Sequence, residues 1–214
     1  MLKRISALWL APVVVTLSGF MLDAKAFALP EFPFETVQEY KTTLVPIEGN
    51  ISKVTNIGIS VDAPYGLTQL INTNYGELDP NTGAIRFSPD AATFGLKGLP
   101  IGEAVFFGNG LDRLFGTISG SGVLDFQASV GNISGNITIT GGEGRFSDAT
   151  GILTFVENNT FNSDPTAPIN SRATVIGSFQ VIPRLVPEQG ATTAIVGALA
   201  GACLWLRRRN YTNL

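Results

Sequence analysis

The chain contains no histidine, and its few cysteine, methionine and tryptophan residues all lie near the two ends. Both methionines and one tryptophan fall within the first 21 residues, whereas the single cysteine and the other tryptophan fall within the last 12. The middle of the chain therefore lacks the ligands of ordinary zinc sites, haem ligands, disulfides, and Ser-His-Asp or Cys-His nucleophiles. Charged residues are also scarce, at 14% of 214 residues, against ~25% in typical soluble domains.

The N-terminus has the organisation of a secretory signal. Lys3 and Arg4 precede an almost wholly apolar run, which ends at a small-x-small site formed by Ala24 and Ala26. Signal peptidase accepts such sites, so we expect a signal peptide over residues 1–26 that is cut after Ala26. The alternative is an uncleaved membrane anchor, because the apolar run is longer than most signal cores.

The C-terminus contains a second apolar run. Residues 191–206 carry no charge, and Arg207, Arg208 and Arg209 follow directly. A helix over this run would cover ~24 Å of the ~30 Å hydrocarbon layer, which suits a short or transient transmembrane helix. By the positive-inside rule the arginines would leave the tail in the cytoplasm and the preceding domain outside.

Val186, Pro187 and Glu188 come just before this run, and the proline would present an extended, accessible peptide at the membrane face. Together with the short apolar helix and the arginine cluster, this segment, residues 186–214, resembles the PEP-CTERM sorting signal. The resemblance implies an exported protein that an intramembrane exosortase processes. Gln189 stands where the family has its second proline.

An ordinary tail anchor would show the same hydropathy and the same arginine cluster. The two interpretations differ in outcome. A processed protein loses Cys203, Trp205 and the three arginines, whereas an anchored protein keeps them.

The segment between the two ends, residues 27–187, is acidic. It carries 8 basic and 15 acidic residues, a formal charge of −7, and no basic cluster. Nucleic-acid affinity comes largely from neutralised phosphates, so we expect no nucleic-acid partner. The absence of cysteine makes this segment indifferent to the redox state outside the cell.

Alternation of apolar and polar residues predicts a β-hairpin in the middle of the chain. Residues 122–130 and 132–140 both show a period of two, and Gly131-Asn132 fits a two-residue type II′ turn. In this register, Leu124 would pair with Ile139, and the apolar partners would all share one face.

Asn109-Gly110 predicts a second hairpin with a type I′ turn, joining residues 101–108 to 111–119. Further strands are predicted over residues 56–62, 67–78, 84–88, 151–157 and 172–182. No comparable stretch has a helical period, and glycine or proline punctuates the chain throughout.

These patterns predict an all-β domain over residues 51–185. We expect an antiparallel eight- or nine-stranded barrel or a two-sheet sandwich, because such sheets must hide their edges. An N-terminal signal helix and a C-terminal transmembrane helix would flank this domain. Residues 27–50 are expected to form a poorly ordered lead-in arm, because the part up to Pro46 contains three glutamates and three prolines.

The glycine-rich stretch 141–151 reads Gly-Gly-Glu-Gly-Arg-Phe-Ser-Asp-Ala-Thr-Gly. It resembles the hairpin that precedes the closing strands of dirigent and allene-oxide-cyclase-like barrels. The resemblance implies a barrel with an apolar cavity and carries over no activity. Independently of any family, glycines permit positive φ at a tight turn, Phe146 would plug the barrel end, and Ala149 would fit where chains cross closely.

Few residues are candidates for chemistry. Asp112 and Arg113 follow the Asn-Gly turn, and with Glu103 and Asp125 they are the charges expected near one sheet face. Paired carboxylates can perform acid-base work when one is desolvated, but such residues are more often solvated turn and edge charges. We therefore predict no catalytic residue.

The turn at residues 79–83 offers oxygen atoms at alternate positions but lacks the remaining ligands of a calcium loop, so we predict no metal site and no cofactor. Tyr65 and Tyr75, each followed by glycine, are candidates for stacking on a sugar ring, which makes a matrix polysaccharide a candidate partner. The Asn-x-Ser/Thr sites are interpreted as polar strand residues; they are Asn50, Asn132, Asn136 and Asn158.

Two classes of function follow. The first is an exported, non-catalytic protein of the cell envelope or extracellular matrix, delivered by its tail. The second is a binder of a small apolar ligand, or a cyclase-like enzyme, that uses the barrel interior. An interior cavity smaller than ~300 Å³, the lower end of ligand pockets, would count against the second class.

Overall fold

The computed structural model describes residues 29–161 and 167–182. Within them, nine strands form one antiparallel sheet, which confirms the all-β prediction. The strands are β1 (Glu31–Glu48), β2 (Ile51–Ile59), β3 (Gln69–Leu78), β4 (Ala84–Ser88), β5 (Ala104–Phe107), β6 (Arg113–Asp125), β7 (Val130–Glu143), β8 (Ala149–Thr160) and β9 (Ile169–Val181). The predicted signal helix and transmembrane helix lie outside the described residues.

The sheet closes into a barrel. Its order is β2-β1-β9-β8-β7-β6-β4-β3-β5, and additional pairings join β2 to β3 and β5 to β6. Strands β4 and β5 share one position in the ring, because β4 pairs with Tyr75–Leu78 of β3 and β5 pairs with Gln69–Asn72. Of the two predicted architectures, the barrel is therefore the one that forms, and closure removes the free sheet edges.

The chain between β4 and β5 covers the space that these two short strands leave. The backbone N–H of Thr73 donates to the carbonyl of Glu103 (2.9 Å), and the Tyr75 hydroxyl donates to the carbonyl of Pro100 (2.7 Å). The Thr73 N–H of β3, which lies between the residues that pair with β5 and those that pair with β4, thereby has a partner.

One end of the barrel is filled by aromatic side chains. Phe32 stacks on Phe179 at 5.3 Å between ring centroids, and Phe146 meets Phe179 edge to face at 5.2 Å. Tyr65 completes the cluster, and its hydroxyl donates to the carbonyl of Pro33. Phe146 is fully buried, as the glycine-rich stretch predicted. Gly144 has a φ of 64°, the left-handed conformation that a tight corner requires.

The β6–β7 hairpin forms, but its predicted register is wrong. Leu124 pairs with Gly131 and not with Ile139, and the turn is the four-residue segment 126–129. The Asp125 carboxylate accepts from the backbone N–H groups of Gln127 and Ala128, both at 2.9 Å, and so forms the turn. Phe126, which the predicted register placed on the shared apolar face, is 54% exposed in this turn.

The second predicted hairpin joins β5 to β6 as expected, but not through a type I′ turn. Five residues, 108–112, connect the two strands, and neither Asn109 nor Gly110 is among the residues with positive φ. A type I′ turn requires positive φ at both central positions. The two strands predicted over residues 111–119 and 122–130 are also one continuous strand, β6.

The predicted lead-in arm, residues 27–50, is wrong as a separate unit, because β1 occupies most of it and lies between β2 and β9. The pairing of β1 with β2 begins only at Glu39, so at Pro33 the strand pairs with β9 alone. Pro33 is therefore tolerated. Pro46 lies where β1 pairs with β2 alone. Each proline therefore falls where one side of the strand needs no hydrogen-bond donor.

Candidate functional site

The half of the barrel away from the aromatic cluster contains a partly open cavity of about 70 Å³. Its wall is mostly apolar and includes Leu70, Ile118, Ile137 and Phe155, all buried. The polar residues that line it are Tyr40, Thr42, Asn56, Asn74, Glu157 and Asn159. The volume lies well below the ~300 Å³ of ordinary ligand pockets, which disfavours an apolar ligand of usual size inside this barrel.

Glu157 is the carboxylic acid of this cavity. Burial raises its pKa above the ordinary value, and the nearby Ser171 hydroxyl opposes this shift only in part, without forming a hydrogen bond of good geometry. Burial also raises the pKa of Tyr40, and the negative charge of Glu157 adds to that effect. The cavity therefore favours the neutral forms of both side chains.

Several buried polar atoms in the barrel have no hydrogen-bond partner within the protein. They are both amide atoms of Gln38 and of Asn72, Oδ1 of Asn74, Nδ2 of Asn159 and the hydroxyl of Ser171. Asn74 and Asn159 are 2% and 5% exposed, and both line the cavity. Unpaired buried polar groups are uncommon in native proteins, which makes this interior the most unusual feature of the molecule.

Thr36, Ser60 and Asp62 form a separate polar cluster after β2. The Ser60 and Thr36 hydroxyls both donate to Asp62 Oδ1, at 2.6 and 3.0 Å. These two hydrogen bonds lower the pKa of the exposed Asp62 carboxyl. The cluster fixes the chain where it leaves β2, and the carboxylate is already used as an acceptor.

The structure does not bring the predicted acid-base candidates together. Asp112 accepts from the backbone N–H and the Nε of Arg145, both at 2.8 Å, and the backbone bond is the main cause of its lowered pKa. Arg113 pairs instead with Glu143 at 3.2 Å. Asp125 holds the β6–β7 turn, and Glu103 is exposed. All four thus lie at turns or on the surface.

The turn at residues 79–83 is held by its own side chains. The Thr82 hydroxyl and the Asn81 backbone N–H donate to the Asp79 carboxylate, at 2.7 and 2.9 Å. These bonds lower the pKa of Asp79, with the Thr82 bond the larger cause. In the described ranges, no group of three or more acidic residues is arranged to hold a metal ion.

Neither tyrosine predicted to stack on a sugar offers a free ring. Tyr75 is 2% exposed. Tyr65 packs against the aromatic cluster, and burial raises the pKa of its hydroxyl while the Arg145 charge opposes the shift. The prediction of stacking platforms is therefore wrong, because inward packing of a half-apolar ring is favoured over exposure.

The interior polar residues were not singled out from the sequence. Asn72, Asn74, Glu157 and Asn159 occupy or border inward-facing positions of β3 and β8. The sequence did contain a signal for them. Glu157 and Asn159 continue the alternating series of Leu153 and Phe155, so these polar residues occupy positions of the strand where the pattern expects apolar, inward-facing side chains. Conversely, Asn132, Asn136 and Asn158 are exposed on the outer face.

The predicted sorting and cleavage residues lie outside the described part of the chain. They are Ala24, Ala26, Val186, Pro187, Glu188, Arg207, Arg208 and Arg209. Within residues 29–161 and 167–182, no helix is long and apolar enough to cross a membrane.

No family model matches the chain, and no curated protein is significantly similar to it.

Proposed function

We propose that the protein is an exported, non-catalytic component of the cell envelope or extracellular matrix. The observation that carries this proposal is the arrangement of the sequence: a signal-like N-terminus and an arginine-tipped apolar tail enclose an acidic β-domain. The charges first considered for catalysis support it as well, because Asp112 and Asp125 already accept hydrogen bonds at turns.

The tail would direct sorting. In this proposal Val186, Pro187 and Glu188 present the recognition peptide, residues 191–206 enter the membrane, and Arg207 to Arg209 stay in the cytoplasm. An exosortase-type enzyme would then release the domain, and signal peptidase would remove residues 1–26.

Two sets of substitutions test the tail. Replacing Arg207, Arg208 and Arg209 with alanine should remove the orientation signal and reduce the released fraction several-fold. If the tail is a processed sorting signal, Glu188→Ala should also reduce the fraction of the protein that is released from the membrane. An anchor has no need of Glu188, so unchanged behaviour of this variant would favour the anchor. Asn210→Ala is the matched control and should leave localisation unchanged.

The outer face of the barrel supports a neutral partner such as a matrix polysaccharide. Ser134, Asn136 and Thr138 of β7 are exposed, and β6 and β8 add Ser119 and Thr154 beside Asn136. This face carries uncharged hydroxyl and amide groups beside the exposed apolar side chains of Ile152 and Val156. The hydroxyl and amide groups match a polymer rich in hydroxyls.

Co-sedimentation with an insoluble neutral polysaccharide such as cellulose tests this partner. Ser134→Glu together with Asn136→Glu should reduce the bound fraction several-fold, because both place an unpaired charge on the contact face. Thr43→Glu, on the exposed face of β1, is the matched control. Equal binding by both variants would remove this face from the proposal.

A further inference from the structure

The outer face of β9, β1 and β2 carries two neighbouring rows of side chains that run across the strands. Each row has one residue on each strand, paired in register, and the rows are Asn170, Lys41, Ile57 and Arg172, Glu39, Ile59. All six side chains are exposed. Each row therefore presents a polar group on β9, a charge on β1 and an apolar group on β2, and the charges on β1 have opposite signs.

The apolar part of this face is uncovered. Ile57 and Ile59 are 56% and 59% exposed, and Ile71, the cross-strand partner of Ile57 on β3, is 44% exposed. Side chains at such positions lie next to each other on the surface of a sheet. Contiguous exposed apolar groups rimmed by polar residues are typical of interaction surfaces, whereas single exposed residues are not.

The charges of this face are not used within the barrel. Among the described residues, no ion pair includes Lys41, Glu39 or Arg172. Glu39 lies opposite Arg172 in the β1–β9 pair, and the two still form no ion pair. The charged groups of β1 are therefore available to a partner that places opposite charges in front of them.

The two rows are complementary to each other. When two copies face each other across a two-fold axis that runs across the strands, between the rows, each row of one copy faces the other row of the second copy. Lys41 then faces Glu39 of the second copy, and Ile57 faces Ile59. Asn170 faces Arg172, whose guanidinium can donate to the amide oxygen. One surface thus supplies matching charge, apolar and hydrogen-bonding contacts to its own copy.

The charges also distinguish between two orientations of the second copy. A two-fold axis along β1 would bring Lys41 against Lys41 and Glu39 against Glu39, and like charges placed opposite each other disfavour that arrangement. The axis across the strands instead makes the strands of the two copies antiparallel. Facing sheets pack with their strands within about 30° of each other, so the pairs on β1 and β2 near the axis keep their alignment.

We propose that the outer face of β9, β1 and β2 binds a second copy of this chain, forming a symmetric dimer in which Lys41 of each copy pairs with Glu39 of the other. The six residues of the two rows line an open depression along β1, which leaves room for the long Lys41 and Glu39 side chains of the second copy. This dimer goes beyond the export and sorting proposed above and does not depend on them.

Charge reversal tests the dimer. The protein is recovered from the producing cells with whichever termini it keeps, and sedimentation velocity measures its oligomeric state at micromolar concentrations. The wild type should dimerise. Lys41→Glu and Glu39→Lys should each weaken dimerisation at least about tenfold, because each places like charges opposite each other twice in one dimer. Lys97→Glu, on an exposed residue between β4 and β5, makes the same change of charge away from this face and should leave the dimer unchanged.

A mixing experiment decides whether the two charged residues face each other. An equimolar mixture of Lys41→Glu and Glu39→Lys, one of them isotope-labelled, should form a heterodimer that native mass spectrometry detects, because the two reversed side chains then face each other with opposite charge. The double variant should likewise dimerise again. A monomeric wild type, a single variant that dimerises as the wild type does, or a mixture without heterodimer would overturn the proposal. The mixture gives this answer should the double variant fail to fold.

Discussion

The ring of Tyr40 lies over Gly58, its cross-strand partner in the β1–β2 pair. A Cβ atom on Gly58 would lie 2.6 Å from Tyr40 Cδ1 and 3.1 Å from Gln38 Oε1. The absence of a side chain at Gly58 therefore leaves space for the Tyr40 ring and the Gln38 amide inside the barrel, next to the cavity that Tyr40 lines.

Gly58→Ala should destabilise the fold by about 1–3 kcal/mol, because the added methyl would overlap the Tyr40 ring. Chemical denaturation measures this effect. Gly141→Ala is the control, because a Cβ there would meet only Phe115 Cδ2, at 4.0 Å, and φ is not positive. A Gly58→Ala protein as stable as the Gly141→Ala protein would show that the Tyr40 ring does not occupy this position.

Glu157→Gln should stabilise the protein at neutral pH and leave it unchanged in acid. The folded-state pKa of Glu157 is raised by burial, so the unfolded chain loses this proton first as the pH rises. Stability therefore falls with rising pH between the ordinary glutamate pKa of ~4.3 and the raised folded-state pKa. Below ~pH 4 the advantage of the glutamine variant should vanish.

Denaturation midpoints of the wild type and Glu157→Gln across the pH range check this sign. An advantage of the variant that grows as the pH falls would contradict a buried neutral carboxyl.

Asn72→Leu should raise the free energy of unfolding by about 1–3 kcal/mol, because it removes a buried amide whose two polar atoms are both unpaired. The two side chains have the same branching and the same number of non-hydrogen atoms. Asn136→Leu on the exposed outer face is the control and should lie within about 0.5 kcal/mol of wild type. A strongly destabilised Asn72→Leu protein would mean that this amide is satisfied in solution.

Asp112→Ala should destabilise the glycine-rich corner by about 1 kcal/mol, since it removes two charge-assisted hydrogen bonds to a largely exposed Arg145. Asp112→Asn should lose less, because the amide oxygen still accepts from the Arg145 backbone N–H. Hydrogen exchange of that N–H distinguishes the variants. Identical exchange in Asp112→Ala and wild type would exclude the proposed role.

Much of the fold could be predicted from alternation. Strand β4 agrees with its prediction at both ends. Alternation places Ala173, Val175, Phe179 and Val181 on one side of β9, and the first three are buried while Val181 is half-buried. The β6–β7 register was not predictable in this way, because alternation has a period of two and any even shift keeps the same faces. The turn decides between such registers, and Asp125 supplies that information through its bonds to Gln127 and Ala128.

Strand β1 was missed for a different reason. Phe32, Phe34 and Tyr40 alternate with glutamates, which is a strand pattern, but Pro33 and Pro46 argued against a central strand. Those prolines are acceptable only because β9 and β2 pair with different lengths of β1, which leaves one side of the strand unpaired near each end. This offset is a property of the closed barrel and cannot be inferred from the local sequence. The cavity was likewise hidden, because closure alone places Asn74 of β3 and Asn159 of β8 around one interior space.

The central claim is that both ends of the chain are addresses which are removed from an exported β-barrel. Intact-mass analysis of the protein recovered from envelope and culture-medium fractions tests it most directly. The account predicts a chain that begins at Phe27 and lacks Arg207, Arg208 and Arg209. Recovery of a chain that begins at Met1 and keeps the three arginines would contradict it.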